Sequence, residues 1–275
     1  MTDLRADKLD VQRRALPIGE GVGRLFDFWM TVYKRTWKAS VISSFASPLL
    51  YVVAMGVLLG GFIAEDPAQL EGAPNYLSFV VPGLIAAHAM TTAVSETTYP
   101  VMSLFKWGKV YDSQIATPLA VRHVASAHLL FVAFRLATTC AVFMLVLAPF
   151  GVFQSWWGPL VAFVTQVLVG MAFAALTYAY TTRIRSEQSF GLLFRLGVFP
   201  LFLFSGAFFP VDNLGQVGGF LARLTPLWHG VNLSRMFCLD VVDWSTAAIN
   251  VTVLVVLLVA GWFWALAGLR KRLVS

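Results

Sequence analysis

Six stretches of this chain stay apolar for about twenty residues or more, at 39–63, 76–102, 121–148, 158–182, 190–210 and 246–269. A bilayer core takes roughly 20 helical residues to cross. Lipid offers no partners to backbone N–H and C=O groups, so a crossing segment is a helix or part of a closed barrel. Barrel strands read as alternating segments of about ten residues, whereas these runs are continuous. The expectation is an all-α polytopic membrane protein with six transmembrane helices. Composition agrees: 58% of the 275 residues are hydrophobic and 12% charged, where a soluble domain carries about a quarter charged. The first run lies behind a polar leader, too far in for the apolar core of a cleavable signal.

The connections set the orientation. The leader carries Arg5, Lys8, Arg13, Arg14, Arg24, Lys34, Arg35 and Lys38. Loop 64–75 has Glu65, Asp66 and Glu71 and no base, loop 103–120 carries Lys106 and Lys109, and loop 149–157 is uncharged. Arg183 and Arg185 follow the fourth run, and the tail closes on Arg270-Lys271-Arg272. Basic short loops favour the cytoplasm, so both termini and the second and fourth connections are expected inside.

Two connections have patterns of their own. Residues 1–38 form a leader before the six-helix unit at 39–275. Within it, 23–38 reads as an amphipathic interfacial helix, with Leu25, Phe26, Trp29, Tyr33, Thr36 and Trp37 on one face and bases on the other. It either anchors the chain or transmits movement from a partner. The long fifth connection, 211–245, is expected outside. Leu214, Val217, Leu221 and Leu224 share a helical stripe, with Asp212 or Asn213 placed to cap it, and Thr225-Pro226 resembles a second helix start. The fifth run would break at Pro210 into two re-entrant helices. A lid over a pathway and a plain interfacial re-entry are both open readings.

Catalytic and nucleotide patterns are scarce. Around Gly108-Lys109, Ser103 stands where a phosphate-binding loop needs its first glycine, and Val110 where Ser or Thr should follow. His123 and His128 are five apart, off a common helical face, and Ser103-x-x-Lys106 lacks the companion motifs of a hydrolase. Cys140 and Cys238 fit no metal spacing and leave their state open. Gly56-x-x-x-Gly60 permits close helix approach. Glu96 and Arg135 lie inside apolar runs, where an unpaired charge is costly. They are expected to pair across the second and third spans.

The order of leader, two spans, basic insertion, three spans, long outer excursion, one span and basic tail resembles the permease subunits of type-2 ABC exporters. The segment SQIATPLAVRHVASAHLL at 113–130 looks like that family's entry to the third span. LFSGAFFPVDNL at 203–214 with LTPLWHGVNLSR at 224–235 resembles the lipo-oligosaccharide nodulation-factor permease branch. Gly215 and Gly218-Gly219 depart from it, where a proline and fewer glycines are expected.

That resemblance implies a bacterial inner-membrane exporter with two copies of a separate ATP-binding subunit and a second permease copy, forming a homodimer. It implies no cofactor on this chain, with ATP and Mg held by the partner, and no nucleic acid. Residues 104–117 would be a coupling helix docking through Trp107, Lys109, Tyr111, Asp112 and Ile115, or else a plain surface helix. Phe208, Phe209, Pro210 and Trp228 would form an outer gate. The implied function is export of an amphipathic substrate such as a lipo-oligosaccharide, glycolipid or lipid-linked glycan. Drug efflux by the same architecture is the near alternative. A membrane-embedded enzyme is the alternative of another class, though His88 and Glu96, eight apart on one span, make a poor constellation, and a passive channel or scaffold is a third.

Overall fold

The computed structural model describes residues 16–51, 53–54 and 70–274. Among these residues the chain is helical, without strands. Four helices are long and apolar enough to cross a membrane: Tyr76–Lys106, bent at Thr98, then Val121–Phe150, Gly158–Arg183 and Trp244–Leu273. In order, α1 is Ile18–Tyr51, α2 Tyr76–Thr97, α3 Tyr99–Lys106, α4 Val110–Ile115, α5 Val121–Leu147 and α6 Gly158–Arg183. They are followed by α7 (Gln188–Leu192), α8 (Phe199–Phe204), α9 (Gly215–Arg223), α10 (Pro226–Cys238) and α11 (Trp244–Leu273).

The third, fourth and sixth expected spans match α5, α6 and α11 within a few residues. Local signals set several boundaries. Asn75 caps α2 by accepting from Ser78 N at 2.8 Å, and Asp243 caps α11 through Ser245 and Thr246. Helix α2 is buried nearly all round and forms the centre, with α6, α5 and α10 against it. Helix α11 packs mainly on α6. A Cβ at Gly261 would lie 2.9 Å from the Ala175 backbone, so a residue without a side chain is what permits that crossing.

The leader helix differs from expectation. No break separates 23–38 from the first span, because 18–51 form one helix. The first part of its aromatic face lies on protein, with Trp29 stacked on Phe131 at 5.7 Å and Tyr33 and Phe26 edge-on to Phe134, whereas Trp37 is exposed. Leu16 N donates to Pro118 O at 3.1 Å, so α1 and α5 start at the same end and run alongside one another. Most of 52–69, with Gly56-x-x-x-Gly60, lies outside the described residues.

The fifth run is also shorter than expected. Its helix runs Gln188–Phe204 with a widened turn at Leu193–Val198, where Phe199 N–H reaches back five residues to Phe194 O. Pro200 supplies no N–H to continue the regular ladder, which accounts for the widening beside it. The helix stops at Phe204, six residues before Pro210, because Gly206 turns the chain at φ +83°.

Candidate functional site

Three constellations sit at different heights of the bundle. The first is at the basic end, where the expected coupling helix 104–117 is instead an elbow. α3 closes with Trp107 N and Gly108 N both donating to Ser103 O, and Lys109 then adopts a left-handed φ of +45° before α4 starts. That reversal turns the segment, so Trp107, Tyr111 and Ile115 do not form one face. Trp107 is 69% exposed, and Lys109 and Asp112 are exposed with it. Tyr111 and Ile115 face inward and are buried. The Tyr178 hydroxyl donates to that of Tyr111 at 3.1 Å, Phe105 meets the Tyr111 ring edge-on, and His128 is sandwiched between Tyr178 and Trp29. Burial first, and Tyr178 beside it second, push the Tyr111 hydroxyl well above its ordinary pKa. Helix α4 is therefore locked to α1, α5 and α6 through neutral aromatic groups.

Inside the bundle, Arg135 donates through both Nε and Nη2 to one oxygen of Glu96, the Nε contact being 3.2 Å. Its guanidinium also lies 5.2 Å from the Tyr33 ring centroid, which ties α1, α2 and α5 at one level. Two spans lower the cost of their buried charges by sharing them. Close by, the Thr181 hydroxyl donates to Thr97 O at the bend between α2 and α3.

The opposite end is roofed by the long connection. Gly206 sends residues 207–210 back over α2. There a Cβ on Gly83 would stand 2.6 Å from the Ala207 Cα, and the Tyr76 hydroxyl donates to Phe208 O at 3.2 Å. Phe208, Phe209 and Pro210 are all half-buried on this return. Trp228 is half-buried one helix later, near Gly206. Asp212 does not cap α9: its carboxylate is paired with Arg223, and α9 begins at Gly215 after a 3-10 turn at Val211–Leu214. On the expected stripe, Val217, Leu221 and Leu224 are exposed, so that face is turned away from the bundle.

The second roof helix, α10, is the better packed. Thr225 caps it by accepting from Trp228 N. Asn250 donates to Asn232 at 2.8 Å and contacts His229 at 2.7 Å, joining α10 to α11. Arg235 is buried, pairs with Glu71 at 2.7 Å, donates to Gly206 O at 2.8 Å and lies 3.9 Å from the Phe79 ring centroid. One side chain thus ties the acidic loop, the turn at Gly206 and the first turns of α2. Arg235 lies in the long fifth connection, where a base is ordinarily in water. The available signal was helical: Leu227, Val231, Ser234, Arg235 and Cys238 share one face, and all are buried. Burial also pushes the Cys238 thiol up to about 12; Cys140 and Cys238 are both free. Among the described residues no three of His, Cys, Asp and Glu gather to hold a metal.

Residues 23–239 match the family described as ABC-2 type transporter. The chain is 31% identical to nodulation protein J of Rhizobium leguminosarum bv. trifolii over 254 residues, covering 89% of this chain and 94% of that protein. It is 28% identical to nodulation protein J of Sinorhizobium fredii, covering 90% and 94%, and 26% identical to that of Rhizobium meliloti, covering 89% and 94%. No solved structure matches significantly. Together with four membrane-grade helices and a match across most of its length, this establishes that the chain belongs to the ABC-2 type transporter family and is a multi-pass membrane subunit of such a transporter.

Proposed function

We propose that this chain is the permease half of an exporter driven by ATP, bound with Mg on two copies of a separate ATP-binding subunit. Its basic end, with both termini, faces the cytoplasm of a bacterial inner membrane. The observation that carries the reading is the elbow. Trp107, Lys109 and Asp112 stand outside, while Tyr111, next to them, is locked to Tyr178. A push on the exposed side passes to α1, α5 and α6 without a flexible joint. Lys106 also pairs with Glu187 at 2.9 Å, linking the elbow to the start of the fifth helix.

The cargo is amphipathic, of the lipo-oligosaccharide or glycolipid kind. An apolar groove of about 470 Å³ supports this, running between the broken fifth helix and α9 and walled by Leu196, Leu201, Phe204, Leu214 and Leu221. Exposed Leu192, Leu196 and Phe199 on the same helix, with Val217 and Phe220 on α9, give a second copy of the chain an apolar face to meet in a homodimer. The Gly206 return, with Phe208, Phe209, Pro210 and Trp228, roofs the exit.

The test is co-purification with the genetically adjacent ATP-binding protein and ATPase measurement in lipid, wild type against W107A/K109A. Loss of the complex in a variant that still folds is expected. An unchanged complex with unchanged ATPase removes the elbow from the docking surface, and with it the central support for the reading.

A further inference from the structure

Helices α6 and α11 end side by side at the basic end, and between them lies a hollow of about 430 Å³. That is within the roughly 300–1,000 Å³ typical of small-molecule sites. Four cations line it: Arg183 and Arg185 at the end of α6, Lys271 and Arg272 on α11. Arg183 donates to Trp264 O at 2.9 Å and lies 4.7 Å from that indole. Arg272 donates to Thr181 O at 3.1 Å and Ile184 O at 3.0 Å. Those carbonyl bonds fix the two guanidiniums without neutralising them. Arg185 and Lys271 are exposed and make no hydrogen bond or ion pair among the described residues. Arg185 adds its charge close to Arg272, and Asp112 is the carboxylate that acts on Arg272 from α4.

The hollow owes its shape to Gly268. A Cβ there would collide with Thr182 Oγ1 and stand 2.8 Å from Arg183 Nη1, forcing α11 off α6. Toward the middle of α11 from this point, Trp264, Phe263, Val259 and Val256 are exposed in a continuous apolar strip. Cations gathered at the end of two spanning helices, next to an aromatic ring and an apolar strip, have the complementarity of one amphiphile.

We propose that the hollow binds the phosphate-bearing headgroup of an anionic phospholipid. Arg185 and Lys271 are its phosphate ligands, and the acyl chains lie on the strip of α11. Guanidinium and ammonium groups make their strongest hydrogen bonds to phosphate oxygens, and basic pockets between helices on the cytoplasmic side suit anionic headgroups. The hollow shares no lining residue with the apolar groove between the fifth helix and α9. It needs only that this end of the bundle lie at a membrane surface.

The experiment uses the full chain, purified and delipidated in detergent. Unfolding temperature and retained lipid, the latter by native mass spectrometry, are followed with phosphatidylglycerol, with phosphatidylcholine and with inorganic phosphate. Variant R185Q/K271Q removes two side chains that hold nothing in place. Variant R122Q/R270Q removes equal charge from exposed positions at the same end, outside the hollow. The expected result is stabilisation and retention by phosphatidylglycerol alone, kept in R122Q/R270Q and weakened at least tenfold in R185Q/K271Q. Equal weakening in both variants would mean diffuse surface charge and overturn the site. A full shift with inorganic phosphate would overturn the lipid as its source. Unchanged phosphatidylglycerol binding in R185Q/K271Q would overturn the two side chains as its ligands, and the proposal with them.

Discussion

Removing the Arg235 guanidinium tests whether the roof is held by one clamp. In R235M the aliphatic stem stays and four interactions go, the weakest a 3.4 Å hydrogen bond to Phe79 O. The Gly206 carbonyl loses its donor at 2.8 Å, and leaving a buried acceptor unsatisfied costs about 1–3 kcal/mol. The contact with the Phe79 ring, at 3.9 Å, is worth about 1–2 kcal/mol when desolvated. The ion pair adds less than its 2.7 Å length suggests. The Glu71 side chain is 35% exposed, so it can turn to water and recover hydration, leaving a net value of about 1 kcal/mol or below. Against these losses, the variant no longer strips water from a charge whose side chain is 8% exposed, and that offset is of kcal/mol size. The expected net loss is about 2–4 kcal/mol for R235M and at most about 1 kcal/mol for E71Q. In E71Q the amide oxygen still accepts from the guanidinium, while Gly206 O and Phe79 O keep their hydrogen bonds. The difference is diagnostic, because a plain salt bridge would lose similar amounts from either side. Unfolding in mixed micelles, followed by tryptophan fluorescence across the double-mutant cycle, measures all four corners. An R235M loss under 0.5 kcal/mol, or an E71Q loss equal to it, would refute the clamp.

Four further outcomes are expected. E96Q and R135M should each lower the yield of folded protein, and the swap E96R/R135E should recover part of it; full activity of both single variants would show that the pair is dispensable. Y178F deletes the hydroxyl bond to Tyr111 and should cost about 1 kcal/mol, lowering transport per ATP hydrolysed more than hydrolysis itself, and an unchanged ratio would remove Tyr111 from transmission. G206A imposes a Cβ at φ +83° and 2.9 Å from the Val211 side chain, so about 1–3 kcal/mol should be lost, read as a fall in unfolding temperature. The Asp243 carboxyl is held below its ordinary value chiefly by the Thr246 and Ser245 side chains. Its cap therefore acts fully above the usual carboxylate pKa and is lost as pH falls through the lowered folded value. Wild type should lose stability there relative to D243A, and parallel pH curves would exclude the cap as the cause.

Four of the six apolar runs were legible as helices long enough to span, because a twenty-residue apolar stretch has so few soluble solutions. Their ends were legible where the capping side chain is local, as at Asn75 and Asp243. The elbow was not. Val110–Ile115 carries nothing that forbids helix through 104–117, and Lys109 reaches φ +45° because Tyr111 and Ile115 are drawn into the core from the other side. Tertiary packing overrode a permissive local sequence there. The leader showed the converse: its stripe holds from Leu25 to Tyr33 and fails at Thr36 and Trp37, which are exposed, and what covers it was not legible. Phe131 and Phe134, which meet that stripe, lie in a run apolar on every side, so no periodicity marks the face they use.

The two charge clamps show where cost can be read from sequence and where it cannot. Glu96 and Arg135 were singled out because each sits in a run where an unpaired charge is expensive. The remedy, a partner on the neighbouring helix, followed from that expense. Arg235 and Glu71 pose the same problem after folding, yet both come from connections, where a charge is ordinarily in water and calls for no partner. What distinguishes Arg235 is the helix it occupies. Leu227, Val231, Ser234 and Cys238 place it on the buried face of α10, and a base on such a face must reach out for a carboxylate. In this chain the sign that a connection belongs to the bundle is therefore helical burial within the loop itself. A count of its charges hides that sign, since Arg235 and Asp240 cancel in the sum while only Arg235 is in the core.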